Sequence, residues 1–286
     1  VYEANEDNAL SEQYATEQLR QFNQAVSVPE SVYAFLEKYD VKTTAVNLMA
    51  ASRLMKNPSE AVRNLWEHGD SATARALLGE TLRRFSESVK NPKELAQAQE
   101  TLADTAEHVM DSMIIEDRRT GSLDIRQMKL LCSQLKIASS MSRQENYIVP
   151  IETADGVTGM KLRIVRGEDK KGLVDIFLED KKCGRVAAYF DAKENSVSAM
   201  IVTDDEQTKK LFEDNITTFE SGISDGEQSV HIDVALEHDI SAKESKMSDM
   251  KSNTESDNET KKQLDGSERV QTTRLYHIAE QFIVNV

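Results

Sequence analysis

The chain of 286 residues carries 50 acidic residues against 35 Lys and Arg residues, which gives a formal net charge of -15. This excess of carboxylates opposes binding along a phosphate backbone, and because no local basic patch interrupts it, we expect no nucleic-acid partner. No apolar run reaches the roughly 20 residues of a membrane-spanning helix, so we expect a cytoplasmic location without membrane insertion.

Residues 1–145 predict an all-helical domain. Apolar side chains recur there every three or four positions, and the positions between them carry Glu, Arg, Lys and Gln, as on surface helices. The pattern predicts seven helices, over residues 8–25, 29–39, 43–56, 58–68, 71–90, 92–116 and 122–144.

Three proline motifs set the starts of helices in this domain. Ser27, Asn57 and Asn91 each stand three residues before a Glu, with a Pro in between. A side-chain oxygen at such a position can accept bonds from the first backbone N–H groups of a helix, and Pro gives up an N–H that has no partner there. We therefore expect side-chain caps at all three positions.

The pattern changes at Asn146, where alternating apolar residues replace the helical spacing. Turn residues separate the alternating runs at short intervals, which is typical of hairpins. The runs predict about six strands, over 147–151, 160–165, 173–178, 185–190, 197–202 and 230–236. Residues 147–236 therefore predict a small, mostly antiparallel sheet with one helix, and the whole chain an α+β fold.

The single helix of this module follows the fifth predicted strand. Residues 204–206 are acidic and suit the start of a helix, where carboxylates interact well with the helix dipole. Leu211 and Phe212 then open a helical spacing of apolar residues that ends near Gly222. This arrangement predicts a strand, a capped helix and a final strand in that order.

Residues 237–268 predict a flexible acidic linker, since they contain no aromatic residue and are rich in Ser, Asn, Asp, Glu and Lys. After it, residues 269–286 predict an amphipathic helix, in which Leu275, Ile278 and Phe282 fall on one face. A helix beyond such a linker either packs back on its own chain or binds a partner, and the sequence leaves both alternatives open.

The chain shows no pattern that predicts catalysis. The five His residues do not pair at metal-binding spacing, and no nucleophile, phosphate-loop or dinucleotide motif is present. Cys132 and Cys183 are the only cysteines, and a disulfide between them is neither required nor excluded by the sequence. We therefore expect no metal, no cofactor and no enzymatic activity.

The module from about residue 160 to residue 236 resembles the C-terminal domain of flagellar hook-length control proteins. That family shows a strand opening on Leu-Gly, a second apolar strand, a helix with spaced Leu residues that ends in Gly, and a final alternating strand. The counterparts in this chain are Cys183 to Phe190, Val197 to Val202, Leu211 with Ile216, Phe219 and Gly222, and Val230 to Leu236.

The resemblance implies a non-enzymatic protein that contacts the cytoplasmic domain of the flagellar type III export gate and switches it from hook to filament substrates. It also implies passage of the protein through the flagellar export apparatus. The alternative is a cytoplasmic adaptor or assembly factor that binds partners through its helical domain and its C-terminal helix. The candidate partner-binding residues are Val197, Ala199, Ile201, Leu211, Phe212, Leu275, Ile278 and Phe282.

Overall fold

A computed structural model describes residues 27–68, 72–117, 125–153, 156–167, 171–181, 183–224, 229–240 and 266–285. The described part of the chain is α+β, as predicted. The helices before the sheet are α1 (Glu30–Lys38), α2 (Ala45–Lys56), α3 (Glu60–His68), α4 (Ala72–Ser88), α5 (Pro92–Asp117) and α6 (Ile125–Ser142). Each matches a predicted helix to within a few residues, whereas the helix predicted over 8–25 lies outside the described residues.

Side-chain caps begin two of these helices as expected. The Oδ1 atom of Asn57 accepts bonds from the backbone N–H groups of Ser59 and Glu60, and that of Asn91 accepts from Lys93. The residue before α1 is Pro29, whose side chain makes no cap bond, and the cap expected at Ser27 stays a prediction. Pro29 already fixes an extended entry to α1, and its own carbonyl accepts the first backbone bond of the turn.

The sheet contains six strands, joined in chain order from one edge to the other. They are β1 (Asn146–Thr153), β2 (Gly156–Arg166), β3 (Gly172–Asp180), β4 (Gly184–Lys193), β5 (Ser196–Thr203) and β6 (Ser229–Leu236). Strands β1 to β5 are antiparallel neighbours, whereas β6 runs parallel to β5 because the helix α7 (Glu206–Ile223) carries the chain back across the sheet. The mostly antiparallel sheet with one inserted helix is therefore confirmed.

The helix α7 begins at the acidic turn, as the sequence indicates. Asp205 is its N-cap, and the Oδ2 atom of this residue accepts a bond of 2.7 Å from the backbone N–H of Thr208. This bond is the first cause of a lowered pKa at Asp205, because it favours the charged carboxylate. The acidic cluster at 204–206 therefore serves the start of a helix.

Two further helices complete the described chain, the short α8 (Glu237–Ile240) and the C-terminal α9 (Gly266–Asn285). The amphipathic helix predicted over 269–286 is thus three residues longer at its start. Both ends of the predicted linker, 237–240 and 266–268, are helical. The flexibility expected for the rest of the linker, 241–265, lies outside the described residues.

The sheet has two faces with different surroundings. The inner face carries the buried residues of the strand alternation, such as Val186, Ala188 and Phe190 in β4, and it packs against α7 and α9. The outer face carries the residues between them, such as Tyr189. At the β1–β2 end the segment that leads into α3 covers this outer face, since a Cβ added at Gly159 of β2 would lie 3.1 Å from Ser59 Cα.

One hydrophobic core runs through the helices and the sheet. It joins buried side chains of α1 to α6 with those of the strands, α7 and α9. The domain boundary predicted near residue 146 therefore marks a change from helix to strand within a continuous core.

Candidate functional site

The inner face is closed by a cluster of four phenylalanines. Phe282 of α9 lies between the sheet and α7, with its ring centre 6.1 Å from that of Phe190 and 6.2 Å from that of Phe212. Phe219 of α7 completes the cluster at 6.1 Å from Phe282. Aromatic pairs at these separations add stabilisation to the large apolar area that each ring buries. The C-terminal helix is therefore part of the core.

A buried polar group fixes α9 at its other contact with the sheet. The hydroxyl of Tyr276 donates to Glu145 Oε1 at 3.3 Å and accepts a bond of 2.7 Å from the hydroxyl of Tyr147. Arg166 holds the same carboxylate in an ion pair. We call these four residues the tyrosine anchor. Tyr147 and Tyr276 are 129 residues apart in the sequence, so the hydrogen bond between them ties the C-terminal helix to the first strand.

Burial makes both phenols of the anchor poor acids. It raises the pKa of Tyr147 to about 12, although the bond to Tyr276 acts in the opposite direction. It also raises the pKa of Tyr276, and the nearby Glu145 carboxylate adds to this rise. Both hydroxyls therefore stay neutral at physiological pH.

Further contacts hold α9 along its length. Arg274 donates to backbone carbonyls of Glu194 and Ser196 at the β4–β5 turn, at 3.2 and 3.1 Å. Lys90 forms an ion pair of 2.8 Å with Glu280. At Gly172 the helix comes so near that an added Cβ would lie 2.6 Å from Leu275 Cδ1. The alternative in which α9 packs back on its own chain is therefore the one that the structure shows.

The structure places seven of the eight candidate partner-binding residues in the core. They are Val197, Ala199, Ile201, Phe212, Leu275, Ile278 and Phe282, each at most 7% exposed. Since these side chains contact other parts of the same chain, they do not form a partner surface in this conformation. Leu211 is the exception, because 56% of its surface is exposed on α7.

The outer face carries the apolar side chains that the core does not use. Beyond the part covered by helices, Phe177 of β3 pairs with Ala187 of β4, which pairs with Val202 of β5. In the next row, Tyr189 of β4 pairs with Met200 of β5. Tyr189 is 42% exposed and the other four residues are half-buried. We call these five residues the outer apolar patch.

Charged residues surround this patch and are largely paired among themselves. Arg163 lies 3.7 Å from Asp175, and Lys193 lies 3.2 Å from Asp191. Arg185 bonds to Asp204 and Glu237 at 3.2 and 2.9 Å, whereas Lys161, the strand partner of Phe177, is partly desolvated, and its burial lowers the pKa of its ammonium group.

The carboxylate nearest the patch is already partly desolvated. Asp175 stands beside Tyr189 in the strand register, and burial raises the pKa of its carboxyl while Arg163 opposes the rise. Burial also raises the pKa of the Tyr189 hydroxyl, with Asp175 adding to it. A group that has lost part of its water loses less when a second surface covers it, so this edge of the patch suits a contact.

A small apolar recess also lies where α3, α4 and α5 meet the sheet. Trp66 lines it, and the guanidinium of Arg75 stacks at 4.2 Å from the Trp66 ring. Thr81 is its one polar lining residue, and its hydroxyl already bonds to the Leu77 carbonyl and to Thr105. The recess therefore presents no polar group that would orient a ligand.

The two cysteines are free thiols and do not pair. Burial raises the pKa of Cys132 to about 11, which keeps its thiol protonated and unreactive. Among the residues that the structure describes, no group of three or more His, Cys, Asp or Glu side chains is placed to hold a metal ion.

None of the helices in the described part of the chain is both long and apolar enough to cross a membrane.

Sequence reasoning missed the outer apolar patch. The alternation of β5 gives this strand a more apolar and a more polar side, and the prediction places the partner on the more apolar side. The signal that would have located the patch is a row of apolar residues on the more polar side, namely Phe177, Tyr189, Met200 and Val202. Their register across three strands is visible only in the folded sheet.

No protein-family model, curated protein or solved structure matches this chain.

Proposed function

We propose that this chain is a non-enzymatic protein-binding module and that the outer apolar patch is its contact surface. The observation that carries the proposal is the row of apolar side chains across β3, β4 and β5 on the face that points away from the core. Exposed apolar side chains that cluster, with a polar rim around them, mark surfaces that another protein covers.

The shape of the surface supports binding of a folded partner. The patch lies on the surface of three strands, and the helices before the sheet lie beside it at β2, where Tyr39 is buried near Arg163. Tyr189 and Phe177 are the aromatic side chains of the patch. Large aromatic side chains at the centre of an interface contribute most of its binding free energy.

The charges indicate the chemistry of the partner. The chain has a net charge of -15, and Arg163, Arg185 and Lys193 beside the patch are already held by carboxylates. The complementary surface therefore has an apolar centre with Lys or Arg side chains at its rim. Opposite charge at the rim speeds encounter and makes binding weaken as salt rises.

Crosslinking from the patch identifies the partner. Tyr189 is replaced by a photoreactive phenylalanine analogue in the cells that make this protein, and the crosslinked product is identified by mass spectrometry. The purified partner is then titrated with the wild-type chain and with Met200→Asp. We expect the dissociation constant to rise at least tenfold, because a carboxylate at the centre of the patch would be buried without a partner.

Leu211→Asp is the matched control, since it places the same charge on an exposed apolar residue of α7, away from the outer face. The proposal requires unchanged affinity for this variant. Equal binding by the wild type and Met200→Asp, or a crosslink from residue 211 in place of residue 189, would contradict it.

A second candidate function, in which α7 and not the outer apolar patch makes the contact, is favoured by one observation. Strand, strand, helix and strand follow each other in β4, β5, α7 and β6, which is the order on which the resemblance to flagellar hook-length control proteins rests. Leu211, a residue of that pattern, is exposed and free to contact a partner through its side chain. In this second candidate function the partner is the cytoplasmic domain of the flagellar export gate.

A pull-down with the purified gate domain tests this second candidate function. Loss of binding by Leu211→Asp, with binding retained by Met200→Asp, supports contact through α7. Clean retention of binding by Leu211→Asp counts against it. The two variants thus separate the outer face from the helix surface.

A further inference from the structure

The two edges of the sheet are finished differently. At β1 the backbone N–H of Ile148 donates to Gln99 Oε1 of α5 at 2.9 Å, so a helix residue caps that edge. At the other edge β6 pairs with β5, and no strand of the described chain pairs with its far side. A strand edge of eight residues, Ser229–Leu236, can pair with a further extended strand.

The sequence of this edge is complementary to itself. Residues 230–234 read Val-His-Ile-Asp-Val, so reversing the direction keeps the apolar positions and exchanges His for Asp. In an antiparallel pair of two copies with Ile232 on the two-fold axis, His231 of each copy lies opposite Asp233 of the other. Val230 likewise lies opposite Val234. Such an interface uses the same surface on both subunits.

Each side of the strand supports this pairing. On the outer side, the side chains of His231 and Asp233 lie 3.5 Å from each other in the same chain, and at 74% and 59% exposure both are accessible to a second copy. An imidazole N–H that faces a carboxylate across two strands can donate a hydrogen bond to it, and such a cross-strand pair stabilises the association. On the inner side, Val230 and Val234 are only half-buried, and a second β6 would cover what remains exposed.

We propose that two copies of this chain associate through β6, in antiparallel register about Ile232, to form one continuous sheet. Because His231 and Asp233 are placed symmetrically about Ile232, β6 is complementary to itself, which favours pairing with a second copy over pairing with an unrelated strand. The association does not depend on the outer apolar patch, which lies on a face of the sheet and stays accessible when the edges pair.

A charge swap tests the register. Sedimentation velocity over a wide concentration range gives the dimer dissociation constant of the wild type. His231→Asp places two carboxylates opposite each other at both symmetric positions, and Asp233→His places two imidazoles there. We expect each single variant to weaken the dimer about tenfold, because two favourable cross-strand pairs become unfavourable. The double variant His231→Asp/Asp233→His restores the pairing, so we expect the wild-type constant.

Both positions are exposed, so the variants should keep the wild-type thermal midpoint, which circular dichroism checks. A wild-type chain that stays monomeric at every concentration would overturn the proposal. So would a dimer that is equally stable in the single and double variants, because it would form through another surface. Slow hydrogen exchange along β6 in a monomer would mean that another segment of the same chain pairs with this edge. This outcome would also overturn the proposal.

Discussion

The inner and outer faces of one sheet both carry apolar side chains but have opposite surroundings. On β5, Ile201 points to the inner face and is 1% exposed, whereas its neighbour Met200 points outward. The inner face lies under α7 and α9. Among the residues that the structure describes, the outer face is covered at β1 and β2, where the earlier helices pack. Apolar content alone therefore does not show which face a protein keeps for a partner.

The difference comes from the end of the chain. Without α9 the inner face would expose Phe190 and the strands around it, because Phe282 and Leu275 fill that space. The C-terminal helix thus turns a face that resembles a binding surface into core. In the described part of the chain, the outer apolar patch and the edge of β6 stay accessible for contact. The following predictions test this contrast, from the largest expected effect to the smallest.

Removing the aromatic ring of α9 should break the inner face. Phe282→Ala leaves a cavity among Phe190, Phe212 and Phe219, so we expect the free energy of unfolding to fall by about 3–5 kcal/mol. Urea denaturation measures it. Val284→Ala is the control on the same helix, because that side chain is 71% exposed and should change the value by less than about 0.5 kcal/mol. Similar values for the two variants would mean that α9 does not close the face.

Deprotonation of the anchor should weaken the same face at high pH. The pKa of Tyr147 is near 10 in the unfolded chain and about 12 in the folded one, so the unfolded state releases its proton first. The stability is fully present below pH 10 and falls as pH rises towards 12, by on the order of 2–3 kcal/mol for this group.

Tyr147→Phe keeps the ring and removes this titration. We expect a shallower fall of the unfolding free energy between pH 10 and 12 than in the wild type, and a still shallower one when Tyr276→Phe is added. Denaturation in urea at several pH values measures the slopes. Identical slopes in all three proteins would show that neither phenol is buried.

A Gly→Ala substitution should destabilise the protein where α9 packs closely on β3, but not where the added methyl group meets no neighbour. In Gly172→Ala the new carbon would meet Leu275 Cδ1 at 2.6 Å, so we expect a loss of about 1–3 kcal/mol as α9 shifts. Gly79→Ala is the same change inside α4, where nothing lies within 4 Å, and it should add about 0.5–1 kcal/mol. A thermal midpoint that moves in the same direction for both would contradict the packing of α9 on β3.

The outer face should tolerate change. Tyr189→Ser removes the most exposed aromatic side chain of the outer apolar patch, yet it leaves the core intact, so we expect a change in the free energy of unfolding of at most about 0.5 kcal/mol. The variant should still weaken binding to the crosslinked partner. A loss of stability as large as that of Phe282→Ala would place Tyr189 in the core.

The sequence predicted most of the fold because its signals are local. Caps at Asn57, Asn91 and Asp205 and the alternation of the strands depend on residues close together in the chain, so they predicted the element order well. The parallel pairing of β6 with β5 and the burial of Leu275 did not follow, because they depend on how distant segments pack.

The candidate surface was harder to predict than the fold. The sequence showed that α9 has one apolar face but left open what covers it, since the contacts of Tyr276 with Tyr147 join positions far apart in the chain. The same lack of long-range information placed seven core residues in the predicted partner surface. Only Leu211 keeps the exposure that the prediction required.

The most direct test of the contrast compares Met200→Asp with Ile201→Asp. The two residues are neighbours on β5 and receive the same carboxylate, one on the outer face and one on the inner face. Urea denaturation should show Met200→Asp within about 1 kcal/mol of the wild type, and Ile201→Asp too unstable to measure or reduced by more than about 4 kcal/mol. Equal losses in both variants would contradict an inner face that is core and an outer face that is open.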